Sequence, residues 1–393
     1  MQTGTRQTSD FLAQLLDIHR ETLLTRERTA FDQMTGSISR PIILCGAGDL
    51  GRKLSLGLRS VGRPAIAFVD NNSRLWGSHV DDVPVLPPTE VIQRFAQSAV
   101  FVVSVYNGSG IANQFRSAGC ETVVHYASLE WKYQDAFRTK PGFGTPTLLL
   151  ENAAHILHLS SLLADEESRT ELARQVRWRI AHEPEWLGEN KPAGETYFPP
   201  EARPLDDEVF VDCGGFTGDT VTDFLTRRQY RFKQICAVEP DPQNLHHMKA
   251  RFESLADDVR ARIHILPYAV GNEDTTLHFD TQGTAGSHVS DTGTAVQCHR
   301  LDSILCDAEP TYIKMDLEGF EPKAIAGAAE VIRKHRPVMA VTLYHELNHL
   351  WNIPMQLHAL NPDYKLLIRR YAEDCWEIVC YAIPPERFIP HPT

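Results

Sequence analysis

Val209-Phe-Val-Asp-Cys-Gly-Gly-Phe-Thr-Gly218 is an apolar strand running into a turn with glycine at 214, 215 and 218. About one βαβ step later a second apolar run, Ile235 to Val238, closes on Glu239. A strand, a glycine-rich turn and an acid at the end of the next strand describe a nucleotide-type cofactor held at strand ends. Glycines let the chain turn sharply there and bring backbone N–H groups close to a ligand. Glu239 stands where a carboxylate accepts ribose hydroxyls, and a charge-assisted bond of that kind contributes roughly 1.5–3 kcal/mol.

Beyond this stretch apolar runs and helical periods alternate. The pattern predicts helix 219–228, strand 235–239, helix 242–255, strand 262–266, a two-stranded excursion through 276–299, strand 311–316, helix 321–334 and strand 338–344. An antiparallel pair at 364–371 and 376–383 ends the chain. Such alternation means an α/β fold, a mostly parallel sheet with helices on both faces. Within Tyr312-Ile-Lys-Met-Asp-Leu-Glu318, the charged Lys314, Asp316 and Glu318 share one face. Central parallel strands are normally apolar on both faces, so three ionisable groups at a strand's carboxyl end point to a ligand cleft. The structural alternative is a Lys314–Glu318 ion pair or a helix cap. His345 follows the next apolar strand and would emerge at the same edge. Asp316 and His345 are therefore the candidates for handling a proton.

Three motifs follow in order: Val211-Asp-Cys-Gly-Gly-Phe-Thr-Gly-Asp-Thr220, Val238-Glu-Pro-Asp-Pro-Gln-Asn-Leu245 and Ile313-Lys-Met-Asp-Leu-Glu-Gly-Phe-Glu321. With Asp165-Glu-Glu-Ser-Arg169, Tyr197-Phe-Pro199 and Gly327, they resemble the FkbM family of methyltransferases over residues 160 to 380. The resemblance implies a class I methyltransferase sheet, S-adenosylmethionine as cofactor and a hydroxyl as acceptor. By the same resemblance Asp212, Gly214 and Gly218 hold the methionine end, Glu239 the ribose, Asp241 and Ala269 the adenine region, and Asp316 and His345 serve the acceptor. The segment Gly283 to His288 would lie over the site. Asp302 reads as a cap or turn residue. A divalent ion on Asp316, Glu318 and His345 is conceivable, but the sequence calls for no metal. His345-Glu-Leu-Asn-His349 matches the His-Glu-x-x-His pattern of zinc proteases. That chemistry needs both histidines on one helix face, and here the first closes a strand.

Nearer the start, Pro41-Ile-Ile-Leu-Cys-Gly-Ala-Gly-Asp-Leu-Gly51 gives strand, Gly-x-Gly-x-x-Gly and helix, and Ala65 to Asp70 a second strand ending in an acid. Gly46, Gly48, Gly51 and Asp70 form a candidate second nucleotide site. Together with Phe68-Val-Asp-Asn-Asn72 and Val83-Pro-Val-Leu86, they resemble the N-terminal domain of PglD-type sugar acyltransferases, which implies a nucleotide-sugar ligand. The domains expected are a helical lead-in at 1–37 that could serve as an oligomer contact, a Rossmann-like domain at 38–130, a helical linker at 131–205 and the methyltransferase domain at 206–393.

A chain of 393 residues with 42% hydrophobic content is long enough for two cores. Its net charge of −12 argues against nucleic acid or an anionic membrane, which require clustered Lys and Arg. Residues 1 to 10 lack a signal peptide's apolar stretch, and the eight cysteines include no Cys-x-x-Cys pair, so a cytoplasmic protein with reduced thiols and no structural zinc is expected. The function expected is O-methylation of a sugar or glycan hydroxyl. The alternative is a scaffold that binds nucleotide sugars without catalysis.

Overall fold

The computed structural model describes residues 2–36, 40–137, 144–181, 184–280, 288–289, 293–305, 308–373 and 376–390. The chain forms two compact units. The first comprises 1–157, 170–190 and 372–376; the second comprises 158–169, 191–371 and 377–393. Residues of the stretch at 131–205 fall in both units.

The second unit is built on a seven-stranded sheet: β1 (Val209–Cys213), β2 (Gln234–Val238), β3 (Ile263–Leu266), β4 (Tyr312–Met315), β5 (Val338–Thr342), β6 (Lys365–Arg370) and β7 (Ile378–Ile383). Its spatial order is β3-β2-β1-β4-β5-β7-β6. β1 to β5 are parallel, and β7 runs antiparallel to both β5 and β6. The terminal antiparallel pair expected from the sequence is therefore present, with β7 inserted between β5 and β6. The excursion after β3 is larger than two strands. It forms a separate four-stranded sheet in which Ala269–Val270 pairs with Thr294–His299.

β1, β4 and β5 are buried along their whole length, as central parallel strands should be. The two charges this buries are matched. Lys314 lies directly opposite Asp212 in the β1–β4 register, with Nζ 3.0 Å from Oδ1. Lys314 Nζ also donates to the Gly214 carbonyl at 2.7 Å. Burial works against the ammonium, but Asp212 and then Asp316 hold its pKa up at about 12. Lys314 is thus paired with Asp212 and not with Glu318.

Two sequence signatures prove to be clamps. Arg369 on β6 is buried and reaches Asp165 Oδ2 and Glu201 Oε1, each at 2.6 Å, and Ser168 Oγ at 2.7 Å. The Asp165-to-Arg169 run is therefore fastened to the sheet edge of the second unit. Phe198 packs on Phe210, Phe224 and Tyr312 with centroids 5.7–5.8 Å away, anchoring the Tyr-Phe-Pro segment in the core.

The first unit holds a six-stranded sheet in the order His79–Val80, Val83–Leu86, Ala67–Val69, Ile42–Cys45, Val100–Val103, Thr122–His125. All neighbours are parallel except the first pair. This is the Rossmann-like sheet expected for 38–130. The helix Arg20–Thr35 packs on the strand Thr122–His125 and the helices Ala127–Lys132 and Pro146–Glu151 of the same unit. Its buried Leu23 and Phe31 are therefore used within the unit. Among the described residues six cysteines are free and buried, and no helix is long and apolar enough to cross a membrane.

Candidate functional site

β1, β2, β4 and β5 bring their carboxyl ends to one edge of the sheet, where open α/β sheets bind ligands. Gly214 and Gly218 both adopt φ of +79°. A Cβ on Gly214 would stand 2.0 Å from the Asp316 carbonyl oxygen, and one on Gly218 would meet Phe252 at 2.7 Å. These glycines are required by the protein's own close packing, and Gly214 sets the glycine-rich loop directly against the acidic motif. The N–H groups of Gly214 and Gly215 donate to the Val238 carbonyl, so neither is offered to a ligand.

Glu239 joins the two loops. Its Oε2 accepts the Phe216 N–H at 2.8 Å, and its Oε1 accepts the Asp241 N–H at 2.9 Å and Asn244 Nδ2 at 3.4 Å. Burial pushes its pKa up. A carboxylate oxygen can take about two donors, so Oε2 keeps a spare acceptor position. The buried Asn244 Oδ1 beside it makes no hydrogen bond, and nor does the fully buried Asp212 Oδ2. These acceptors are left unspent by the protein's own donors. Asp241 serves as the N-cap of the helix Pro242–Glu253, accepting from the Gln243 and Asn244 N–H groups. Ala269 is buried in the small sheet.

Across the loop, Asp316 is surrounded by hydroxyls. Its Oδ2 accepts from Tyr197 Oη at 2.7 Å, and its Oδ1 from Tyr344 Oη at 3.2 Å and Thr342 Oγ1 at 3.3 Å. His345 is brought to the same place, with Nε2 3.5 Å from Asp316 Oδ1 and from Glu318 Oε1, and Nδ1 2.7 Å from Glu321 Oε1. Burial disfavours its charge, yet Glu321, Glu318 and Asp316 together raise its pKa well above 6.5. Glu321 is correspondingly held down at about 2, against its burial, chiefly by His345. The two candidates named from the sequence, Asp316 and His345, are thus brought together, with Asp316 the one that accepts from three hydroxyls.

Sequence reasoning missed several participants. Tyr197 and Glu321 sat inside quoted motifs without a role. Glu377 had no signal at all: it adopts a left-handed φ of 51° just before β7, and burial and then Asp316 raise its pKa from 4.5 to about 7. The folded protein holds this proton more tightly than the unfolded chain. Stability therefore falls as pH rises from 4.5 to 7, and the full penalty is present above 7. A shift of this size corresponds to about 3 kcal/mol. Glu377→Gln is expected to stabilise the protein by up to that amount at pH 8 and to change little at pH 4.5. Urea unfolding at both values checks it, and equal effects at the two would refute the assignment.

His349 begins the helix His349–Leu360 and lies buried, Nδ1 3.4 Å from Glu321 Oε2, while His345 stands outside any helix. The two histidines thus flank Glu321 and do not share a helix face, which excludes the zinc-protease arrangement. Asp302 caps the helix Ala329–His335 through the Glu330 and Val331 N–H groups. The Gly283–His288 segment lies outside the described residues, apart from the His288 backbone. In the first unit, a Cβ on Gly46 or Gly51 would strike protein, whereas one on Gly48 would meet nothing within 4 Å. Asp70 accepts the Ala47 and Asn72 N–H groups.

Strand order, glycine loop and acidic strand ends define the second unit as a class I methyltransferase fold. Residues 212–369 match the family described as the Methyltransferase FkbM domain, which covers less than half of the chain. Among solved structures, the methyltransferase FkbM from Methylobacillus flagellatus KT is similar, with a TM-score of 0.73 at 21% identity over 97% of this chain and 98% of that one. A likeness at that identity establishes the shared fold. A precorrin-6y C5,15-methyltransferase from Geobacter metallireducens GS-15 aligns with a TM-score of 0.30 at 12% identity, over 47% of this chain and 84% of that one. That score is too low to carry an argument. No curated protein matches the chain.

Proposed function

We propose that the second unit is an S-adenosylmethionine-dependent O-methyltransferase. The observation that carries this reading is the Gly214–Asp316 contact, which sets a cofactor-type loop against a carboxylate ringed by hydroxyls. S-adenosylmethionine supplies an electrophilic sulfonium methyl group. Asp212 Oδ2 would hold the methionine ammonium, and Glu239 Oε2 with Asn244 Oδ1 the ribose hydroxyls. Alignment of reacting groups of this kind lowers a barrier by roughly 7–11 kcal/mol. An alcohol must also lose its proton near the transition state, and Asp316 is the group that takes it. The acidic, tyrosine-lined surroundings suit a polyhydroxyl acceptor such as a sugar.

Calorimetric titration with S-adenosylhomocysteine tests the cofactor reading. Glu239→Ala is expected to weaken binding on the order of tenfold to a hundredfold. Because Glu239 also ties two loops together, Glu239→Gln, checked for fold by circular dichroism, serves beside it. Unchanged affinity in both folded variants would sink the ribose assignment. A labelled-methyl screen of sugar hydroxyls then identifies the acceptor.

A further inference from the structure

The geometry points to a divalent-cation site formed by Asp316, Glu321 and His345, taking a hard ion of the Mg2+ or Mn2+ class that holds the acceptor oxygen. It rests on the acceptor-site reading above. One oxygen or ring nitrogen from each of these residues lies within 4.8 Å of the others. Ligands about 2.1 Å from one ion can stand at most about 4.2 Å apart, so the set closes on a cation with an adjustment of no more than about 0.6 Å. The sequence calls for no metal, and the set conceivable from it named Glu318, where the fold brings Glu321 inward.

A second observation comes from His345. Its side chain is 4% exposed, and neither ring nitrogen makes a hydrogen bond, although Nδ1 is 2.7 Å from Glu321 Oε1 and Nε2 3.5 Å from Asp316 Oδ1. Polar atoms that approach without sharing a proton along the bond direction are disposed as fellow ligands are. Glu321 Oε2 is likewise buried without a hydrogen-bond partner. The three carboxylates of Asp316, Glu318 and Glu321 face two imidazoles, that of His345 and, at Glu321 alone, that of His349, since the Lys314 charge is already matched by Asp212. A cation offsets that excess. Two carboxylates suit a hard divalent ion, and the imidazole beside them favours Mn2+ over Mg2+.

The side chains of Asp316 and Glu318 are each 23% exposed, so coordination positions remain open to water or a hydroxyl. A hydroxyl held by the ion loses its proton more readily. The proton passes to Asp316 Oδ2, the oxygen turned towards Tyr197.

The test is Mn2+ binding by the chelator-treated full-length protein, measured calorimetrically alongside S-adenosylhomocysteine. One Mn2+ per chain is expected, weakened at least tenfold in His345→Gln and Glu321→Gln. Asp316→Asn, at a partly exposed side chain, gives the same test should the buried variants fail to fold. Asp274→Asn, at an exposed acid beside His299, should bind as the wild type does. Failure of the wild type to take up Mn2+ overturns the proposal, as does equal binding in all folded site variants. Cofactor binding without Mn2+ sinks the metal site alone, whereas Mn2+ binding without cofactor sinks the methyltransferase reading and leaves the metal site standing.

Discussion

Asp316→Asn should lower methyl transfer by about 10²–10⁴-fold, the contribution typical of a positioned base, while S-adenosylhomocysteine affinity and the unfolding midpoint stay close to those of the wild type. The substitution preserves shape, and the amide oxygen can still accept from Tyr197, whose hydroxyl lies 2.7 Å from Oδ2, while the amide NH2 takes the place of Oδ1 and can donate to the Tyr344 hydroxyl. What it removes is the site that receives the acceptor's proton. The measurement is steady-state turnover with a hydroxyl acceptor taken from the labelled-methyl screen. A variant retaining full activity would show that the proton leaves by another route.

Arg369→Ala should cost about 3–5 kcal/mol, because truncating one partner of a buried ionic cluster leaves the opposite charges unpaired. Arg369 and Glu201 are both almost inaccessible, and Asp165 bridges to the same guanidinium. Burial opposes the Asp165 charge, but the Arg369 hydrogen bond and charge hold its pKa below the usual range. Urea unfolding of the variant at pH 7 reads the loss directly. A change under about 1 kcal/mol would mean that the cluster is not what fastens the 165–169 segment to the sheet.

The parallel sheet and its terminal antiparallel pair were legible because strand and helix periods are local. β1, β4 and β5 appear within a residue or two of where their apolar runs placed them. The position of Asp316 and His345 at the sheet edge was legible for a related reason: a charge at the end of an apolar strand must project beyond it. The pairing of Lys314 was not legible, since Lys314–Asp212 depends on β1 and β4 being neighbours in register. The same holds for the glycines. Their spacing announced a tight loop, but that Gly214 meets the Asp316 carbonyl and not a ligand follows only from the fold.

The sequence by itself determined the α/β class, the order of elements and the edge at which charged groups gather, because each is set by short-range periodicity and by steric limits on the backbone. Only the tertiary structure decided which of those groups work together. Tyr197 precedes β1, Glu321 begins the helix after β4, His345 follows β5 and Glu377 precedes β7. Segments so distant in the chain meet because β7 inserts between β5 and β6 and Phe198 anchors its loop in the core. Proximity of that kind is a product of long-range packing, and so are the altered proton affinities of His345, Glu321 and Glu377.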